Sequence, residues 1–157
     1  DDYRKSKENQ KQRYFFPLNQ ETNFRINKFF RTITRDKKKL IKILNIKGRN
    51  FKINNYYEGI CRFDFEDLCN QNLGAEDYLE IAKVSNFIVI ENIPQFYDVN
   101  SNQQYRFITL LDVIYDRNIP IAVTTNQNLD QFTSSKSLEN KFKRTISRLY
   151  ELTSKEY

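Results

Sequence analysis

The stretch from Asn86 to Asn126, N-F-I-V-I-E-N-I-P-Q-F-Y-D-V-N-S-N-Q-Q-Y-R-F-I-T-L-L-D-V-I-Y-D-R-N-I-P-I-A-V-T-T-N, holds two short apolar, β-branched runs, Phe87 to Ile90 and Ile119 to Val123. Between them Ser101 to Arg117 is apolar on most of its circumference. A strand with neither face in water reads as a continuous apolar run, whereas a one-sided strand alternates. Both runs are continuous, so the pattern predicts a strand, a buried helix and a second strand, the βαβ unit of a parallel sheet covered on both faces. Each run ends in polar residues, Glu91-Asn92 and Thr124-Thr125-Asn126. These fall at the carboxyl edge, where open α/β sheets place their ligands.

On the amino-terminal side, Tyr14 to Leu18 reads as a short strand that Pro17 confines to an edge or to its last residue. Asn19 then suits a helix N-cap, and Ile26, Phe29, Phe30 and Ile33 recur at i, i+3, i+4 and i+7, which turns Arg25, Lys28, Arg31 and Arg35 to water. After a turn at Asp36 to Lys39 the period changes to two. Ile41, Ile43 and Asn45 share one face, and Phe51, Ile53, Ile60 and Arg62-Phe63 continue the pattern, with Lys47-Gly48-Arg49-Asn50 as the hairpin turn. An antiparallel ribbon of two or three strands is expected here. Phe65 to Leu73 reads as irregular, and Ala75 to Val84 as a helix with Tyr78, Leu79 and Ala82 inward.

On the carboxyl-terminal side, Gln127 to Lys136 is a polar loop and Ser137 to Thr153 a helix. Leu138, Phe142, Ile146, Leu149 and Leu152 form its apolar stripe, and Lys141, Arg144, Arg148 and Glu151 share the opposite face. Arg144 and Arg148, one turn apart, can grip the same anion, since each guanidinium is a planar donor fork. Ser147 lies between them and is placed to orient such a site. The competing reading pairs Arg148 with Glu151 locally.

At 157 residues, 39% hydrophobic and 15% aromatic, the chain can build one compact core, its bulk supplied by 13 Phe and ten Tyr in the absence of Met and Trp. The lack of Met and the start on Asp1-Asp2-Tyr3-Arg4 lead us to expect a piece of a longer protein. No apolar run approaches the roughly 20 residues of a membrane span. With no His in the chain, Cys61 and Cys69 can build neither a zinc cluster nor a Cys-His nucleophile, and buried thiols are expected. The net charge of +6 is unevenly spread: residues 1–52 carry sixteen Lys or Arg against five Asp or Glu, residues 53–100 two against nine, and residues 101–157 eight against six. The basic first third either meets phosphates or an acidic partner or is solvated surface. No groove-reading motif accompanies it, so no sequence-specific nucleic-acid binding is expected.

F-I-V-I-E-N, a helix and I-A-V-T-T-N together resemble the acidic strand and polar-tipped sensor strand of P-loop ATPases, which would give Glu91, Thr125 and Asn126 candidate roles. A phosphate loop needs two glycines five apart followed by Lys, and the chain has only Gly48, Gly59 and Gly74, so Glu91 is expected to be a strand-end surface acid. D-Y-R at Asp2 to Arg4, F-x-P-L at Phe15 to Leu18, F-D-F-E-D-L-C at Phe63 to Cys69, L-G-A-E-D-Y-L at Leu73 to Leu79, I-P at Ile93-Pro94, R-F-I-x-L-L-D-x-I-Y-D at Arg106 to Asp116 and R-T-I-S-R-L-x-E-L-x-S at Arg144 to Ser154 follow in this order. On these motifs nearly the whole chain resembles the carboxyl-terminal half of the ZapE family, the AFG-type AAA+ ATPases. The family usually has Met where Leu152 stands.

The resemblance implies an incomplete P-loop NTPase-type α/β fold, a parallel βαβ unit plus an antiparallel hairpin. Residues 1–36 would be the tail end of the ATPase core and 37–157 a family-specific carboxyl-terminal α/β region. It implies a full-length parent that uses ATP and Mg, with catalytic residues upstream of Asp1 and none here. Arg144, Arg148 and Ser147 are the phosphate-sensing or inter-subunit candidates, with Arg106, Asp112, Asp116, Glu91, Thr125 and Asn126 behind them. It further implies a protein partner in the division machinery or among membrane-protein clients, homo-oligomerisation of the full-length protein, and a bacterial cytoplasm beside the inner membrane or a mitochondrial matrix. The competing function is a nucleotide-free binding module that uses its basic first third.

Overall fold

The computed structural model describes residues 12–157; the D-Y-R motif at Asp2 to Arg4 lies outside them. One six-stranded sheet organises these residues, in the order β1-β6-β5-β4-β3-β2. Its strands are β1 (Tyr14–Phe15), β2 (Lys39–Ile46), β3 (Arg49–Tyr57), β4 (Ile60–Asp64), β5 (Phe87–Ile93) and β6 (Ile121–Thr125). β1, β6, β5 and β4 run parallel, and β3 and β2 extend the sheet antiparallel. The parallel βαβ unit and the antiparallel ribbon are both present, as expected, and the structure joins them in one mixed α/β sheet.

Five helices cover it: α1 (Gln20–Thr34), α2 (Phe65–Cys69), α3 (Ala75–Lys83), α4 (Ser101–Asp116) and α5 (Glu139–Ser154). α1 lies alone on one face, where Ile26 and Phe30 pack with Phe15, Ile60, Phe87, Val89 and Ala122. The other four share the opposite face over a larger core that includes Phe65, Leu68, Tyr78, Ile81, Phe96, Phe107, Leu111, Phe142 and Leu149. Neither face of β5 meets water, which is why its first four residues read as an unbroken apolar run.

Local chemistry explains several boundaries. The Asn19 side chain accepts the Thr22 N–H and starts α1. Lys47 and Gly48, both with positive φ, close the β2–β3 turn, which is two residues rather than four. Arg13 is buried and donates to the Ile121, Leu152 and Lys155 carbonyls, tying the end of α5 to the start of β6.

Four local expectations change. Phe65 to Cys69 is helical, capped by Asp64, and turns Phe65, Leu68 and Cys69 inward; five residues are too few to display a period in sequence. In α3, Leu79 is exposed and Ile81 takes the inward place beside Tyr78 and Ala82, the i, i+3, i+4 set. Ile41 and Ile43 do share a face, but it is open to solvent, and Leu44 and Ile46 turn to α3. β6 spans Ile121 to Thr125 rather than Ile119 to Val123, so Thr124 and Thr125 are buried. Their hydroxyls are satisfied inside: Thr125 donates to the Ile93 carbonyl and Thr124 accepts the Asn92 N–H.

Candidate functional site

Two places collect the polar residues singled out from the sequence. The first lies between α4 and α5, on the outside of the helix layer. The buried stripe of α5, Phe142, Leu149 and Leu152 with the part-buried Ile146, fixes the helix and presents Arg144 and Arg148 together. Both reach one carboxylate. Arg148 Nη1 bonds Asp112 Oδ1, and Arg144 Nη2 is 3.9 Å from Asp112 Oδ2. The Arg148 guanidinium also lies 4.4 Å from the Tyr115 ring centroid. Glu151 forms no ion pair with Arg148 among the described residues; its carboxylate acts on the Tyr115 phenol and raises the phenol pKa. The expected local Arg148–Glu151 pair is thus replaced by a pair across helices, because α4 brings a carboxylate within reach.

Exposure separates the two arginines. The Arg148 side chain is 20% exposed and Arg144 is 60% exposed, so Arg148 is clamped and Arg144 is available. Ser147 is exposed and has no hydrogen bond to either arginine among the described residues. Asp116, one turn after Asp112, is exposed at the end of α4. Arg106 faces another neighbour and donates to the Cys69 carbonyl at 3.2 Å.

The second place is the carboxyl edge of the sheet. The helix after β1 lies on one face and the helix after β6 on the other, so the edge between them is a topological switch point. A cavity of about 280 Å³ opens there on the α1 side, lined by Leu18, Asn19, Thr22, Glu91, Asn92 and Thr124. The Asn19, Glu91, Asn92 and Thr124 side chains in its lining already have partners. Glu91 is no surface acid: Arg62 holds it at 2.6 and 2.9 Å through two nitrogens, and the same guanidinium donates to Asn27 at 2.7 Å. A bidentate fork of this kind, with both side chains below one-fifth exposed, is a structural tie from β4 to β5 and α1. Asn92, left-handed at φ 64, donates its side chain to Asp64, and Asn126 accepts the Leu18 N–H. The sequence reading placed Arg62 in a strand but missed it and Asn27 as partners of this site; the one signal was an Arg set between apolar residues.

Cys61 and Cys69 are both free and buried, and burial pushes the Cys61 thiol up to about 11 and the Cys69 thiol higher. No group of three or more metal-ligating side chains occurs among the described residues. No helix among them is long and apolar enough to cross a membrane.

Arg144, Arg148 and Asp112 meet, then, while Glu91, Thr125 and Asn126 stay at the sheet edge and Arg106 and Asp116 stand apart. No solved structure matches the chain. Over 90 residues, 57% of this chain and 18% of the relative, it is 34% identical to Lactation elevated protein 1 homolog B of Danio rerio. Over 156 residues, 99% of this chain and 42% of the relative, it is 24% identical to Cell division protein ZapE of Escherichia coli (strain K12). The chain spans less than half the length of either relative. A family model described as AFG1-like ATPase matches residues 1–157, and that coverage, on a P-loop NTPase-type α/β sheet, means that the chain belongs to the AFG1-like ATPase family.

Proposed function

We propose that this chain is the carboxyl-terminal part of an ATP-hydrolysing protein and supplies an arginine pair, Arg144 and Arg148, to a phosphate held by another part of the protein or by a neighbouring subunit. The observation that supports this reading is the convergence of both guanidiniums on Asp112. One carboxylate cannot satisfy two donor forks, and Arg144, at 3.9 Å, makes the looser contact and can exchange it for a phosphate oxygen. ATP and Mg belong to the full-length parent on this reading. The chain's own glycines do not fit a phosphate loop: Gly48 and Gly59 close turns, Gly74 precedes α3, and none is followed by Lys and a hydroxyl residue. Residues 1–36 close the ATPase core and 37–157 form the family-specific region; β1 and α1 pack on the sheet that the later strands build.

The name of the Escherichia coli relative carries a role in cell division. We extend to this chain a protein partner in that machinery or a membrane-protein client, homo-oligomerisation at full length, and a place beside the inner membrane or in a mitochondrial matrix. The test is Arg144→Ala in the full-length protein. ATP turnover falls by about a hundredfold while unfolding is unchanged, as expected for loss of a donor at developing charge. Normal turnover in the folded variant ends the reading. The isolated chain, titrated with ATP and Mg, shows no binding at micromolar concentrations.

A further inference from the structure

Residues 39–57 carry five Lys or Arg and no Asp or Glu. They fold into the β2–β3 ribbon at one edge of the sheet, with β2 outermost. β2 is eight residues long and bonds to β3 on one side only, so its other side offers a row of unpaired N–H and C=O groups. On its α1 face Ile41 and Ile43 are 58% and 59% exposed, and Leu40 on the other face is 47% exposed. The contacts of α1 reach Tyr57 and no further along the ribbon, so nothing covers Ile41 and Ile43 among the described residues. A long edge with apolar side chains at i and i+2 is a template for an added strand.

Charge decides which strand fits. Lys47 and Arg49 are neutralised across α3 by Glu76 and Asp77. Lys39 and Lys52 have no carboxylate partner among the described residues, and Lys42 lies over the Tyr56 ring at 5.8 Å. Register places Lys52 directly beside Ile43 on the same face. A second copy would set this lysine-rich edge against itself, and like charges across a strand pair repel. A nucleic acid would use the lysines and leave the isoleucines unexplained, since the ribbon's exposed large side chains are Leu40, Ile41 and Ile43, none of them a stacking ring.

We propose that the β2 edge binds an extended acidic segment of a partner protein by strand addition. Alternate apolar residues of that segment cover Ile41 and Ile43, and its carboxylates meet Lys42 on the opposite face. The arginine pair plays no part in this surface.

The probe is a synthetic peptide of alternating valine and glutamate, with an alternating valine and lysine peptide as its counterpart, each titrated against the full chain at physiological salt. The acidic peptide binds saturably and slows amide exchange within Lys39–Ile46, and the basic one does neither. Lys42→Glu weakens the acidic peptide by about fivefold, because an attraction on the carboxylate face becomes a repulsion. Ile41→Ser with Ile43→Ser weakens it by about tenfold through lost apolar cover, with the charge unchanged. Ile41 and Ile43 are exposed and Lys42 is half-buried at the surface, so circular dichroism shows both variants folded. Equal binding of the two peptides, or no binding with protection of β2, overturns the proposal. So does a concentration-dependent dimer that protects the same amides, or protection by duplex DNA where the acidic peptide gives none.

Discussion

Arg144 and Arg148 are one turn apart on the same helix face, yet their surroundings give them different work. Arg148 bonds Asp112, stacks on Tyr115 and is four-fifths buried, so Arg148→Ala leaves a partly buried carboxylate without its main donor. We expect a loss of about 1–3 kcal/mol in urea denaturation, against about 0.5 kcal/mol or less for Arg144→Ala. A cycle with Asp112→Ala shows coupling above roughly 0.5 kcal/mol for Arg148. A second expectation concerns alkaline pH. Burial raises the Cys61 thiol from 9.0 to about 11, and it also raises Cys69, Tyr14 and Tyr78. Above pH 9 the unfolded thiol releases its proton while the folded one keeps it, so the unfolded state binds fewer protons and stability falls as pH rises. The thiol effect is therefore read between about pH 9 and pH 10, where denaturation midpoints fall; a level profile there contradicts it.

At the scale of elements, turns and loops hold the helices where the sheet needs them. Gly59 closes the β3–β4 turn at φ 100, and a side chain there would strike the Asn86 amide. Its carbonyl also accepts the Asn86 N–H at 2.7 Å, coupling the turn to the start of β5. Gly59→Ala should cost about 1–2 kcal/mol in thermal or urea unfolding, with Gly48→Ala, where the space is open, costing less. The chain from β6 to α5 is fastened in a different way. Gln104, fully buried in α4, donates to Ser134 Oγ and accepts the Ser135 N–H, and Gln95 accepts the Thr133 N–H. Gln104→Leu strands the Ser135 N–H and should cost about 1–3 kcal/mol. Amide exchange at residues 133–136 then accelerates ahead of the sheet. Since α5 begins just after, the same variant loosens the approach to Arg144.

For the whole molecule, charge is partitioned more sharply than the total suggests. Among the described residues, Arg25, Lys28, Arg31 and Arg35 are exposed on or just after α1 and five more Lys or Arg line the β2–β3 ribbon, where part of the charge is met by Glu76 and Asp77 of the acidic middle third. Duplex DNA should therefore bind weakly and without sequence preference, and the binding should fade between about 50 and 200 mM salt. Gel-shift or anisotropy titrations with two unrelated duplexes at both salts check this, and selective binding that survives the higher salt contradicts it.

The sequence by itself determined the elements whose cause is local. Continuous apolar runs marked β5 and β6, an apolar circumference marked α4, helical spacing marked α1 and α5, Asn19 marked a cap, and Lys47 to Asn50 marked the place of a turn that closes in two residues. Ordered motifs along the chain marked the family. Tertiary structure alone decided which polar groups meet. Glu91 finds Arg62 29 positions away, Arg148 finds Asp112 36 positions away, and Arg13 reaches the Ile121 carbonyl 108 positions away. It also decided that Thr124 and Thr125 are interior while Ile41 and Ile43 are not. Periodicity follows from the geometry of one backbone segment and is written in neighbouring residues. Partner choice depends on how separate segments stack, and spacing along the chain carries no record of that distance.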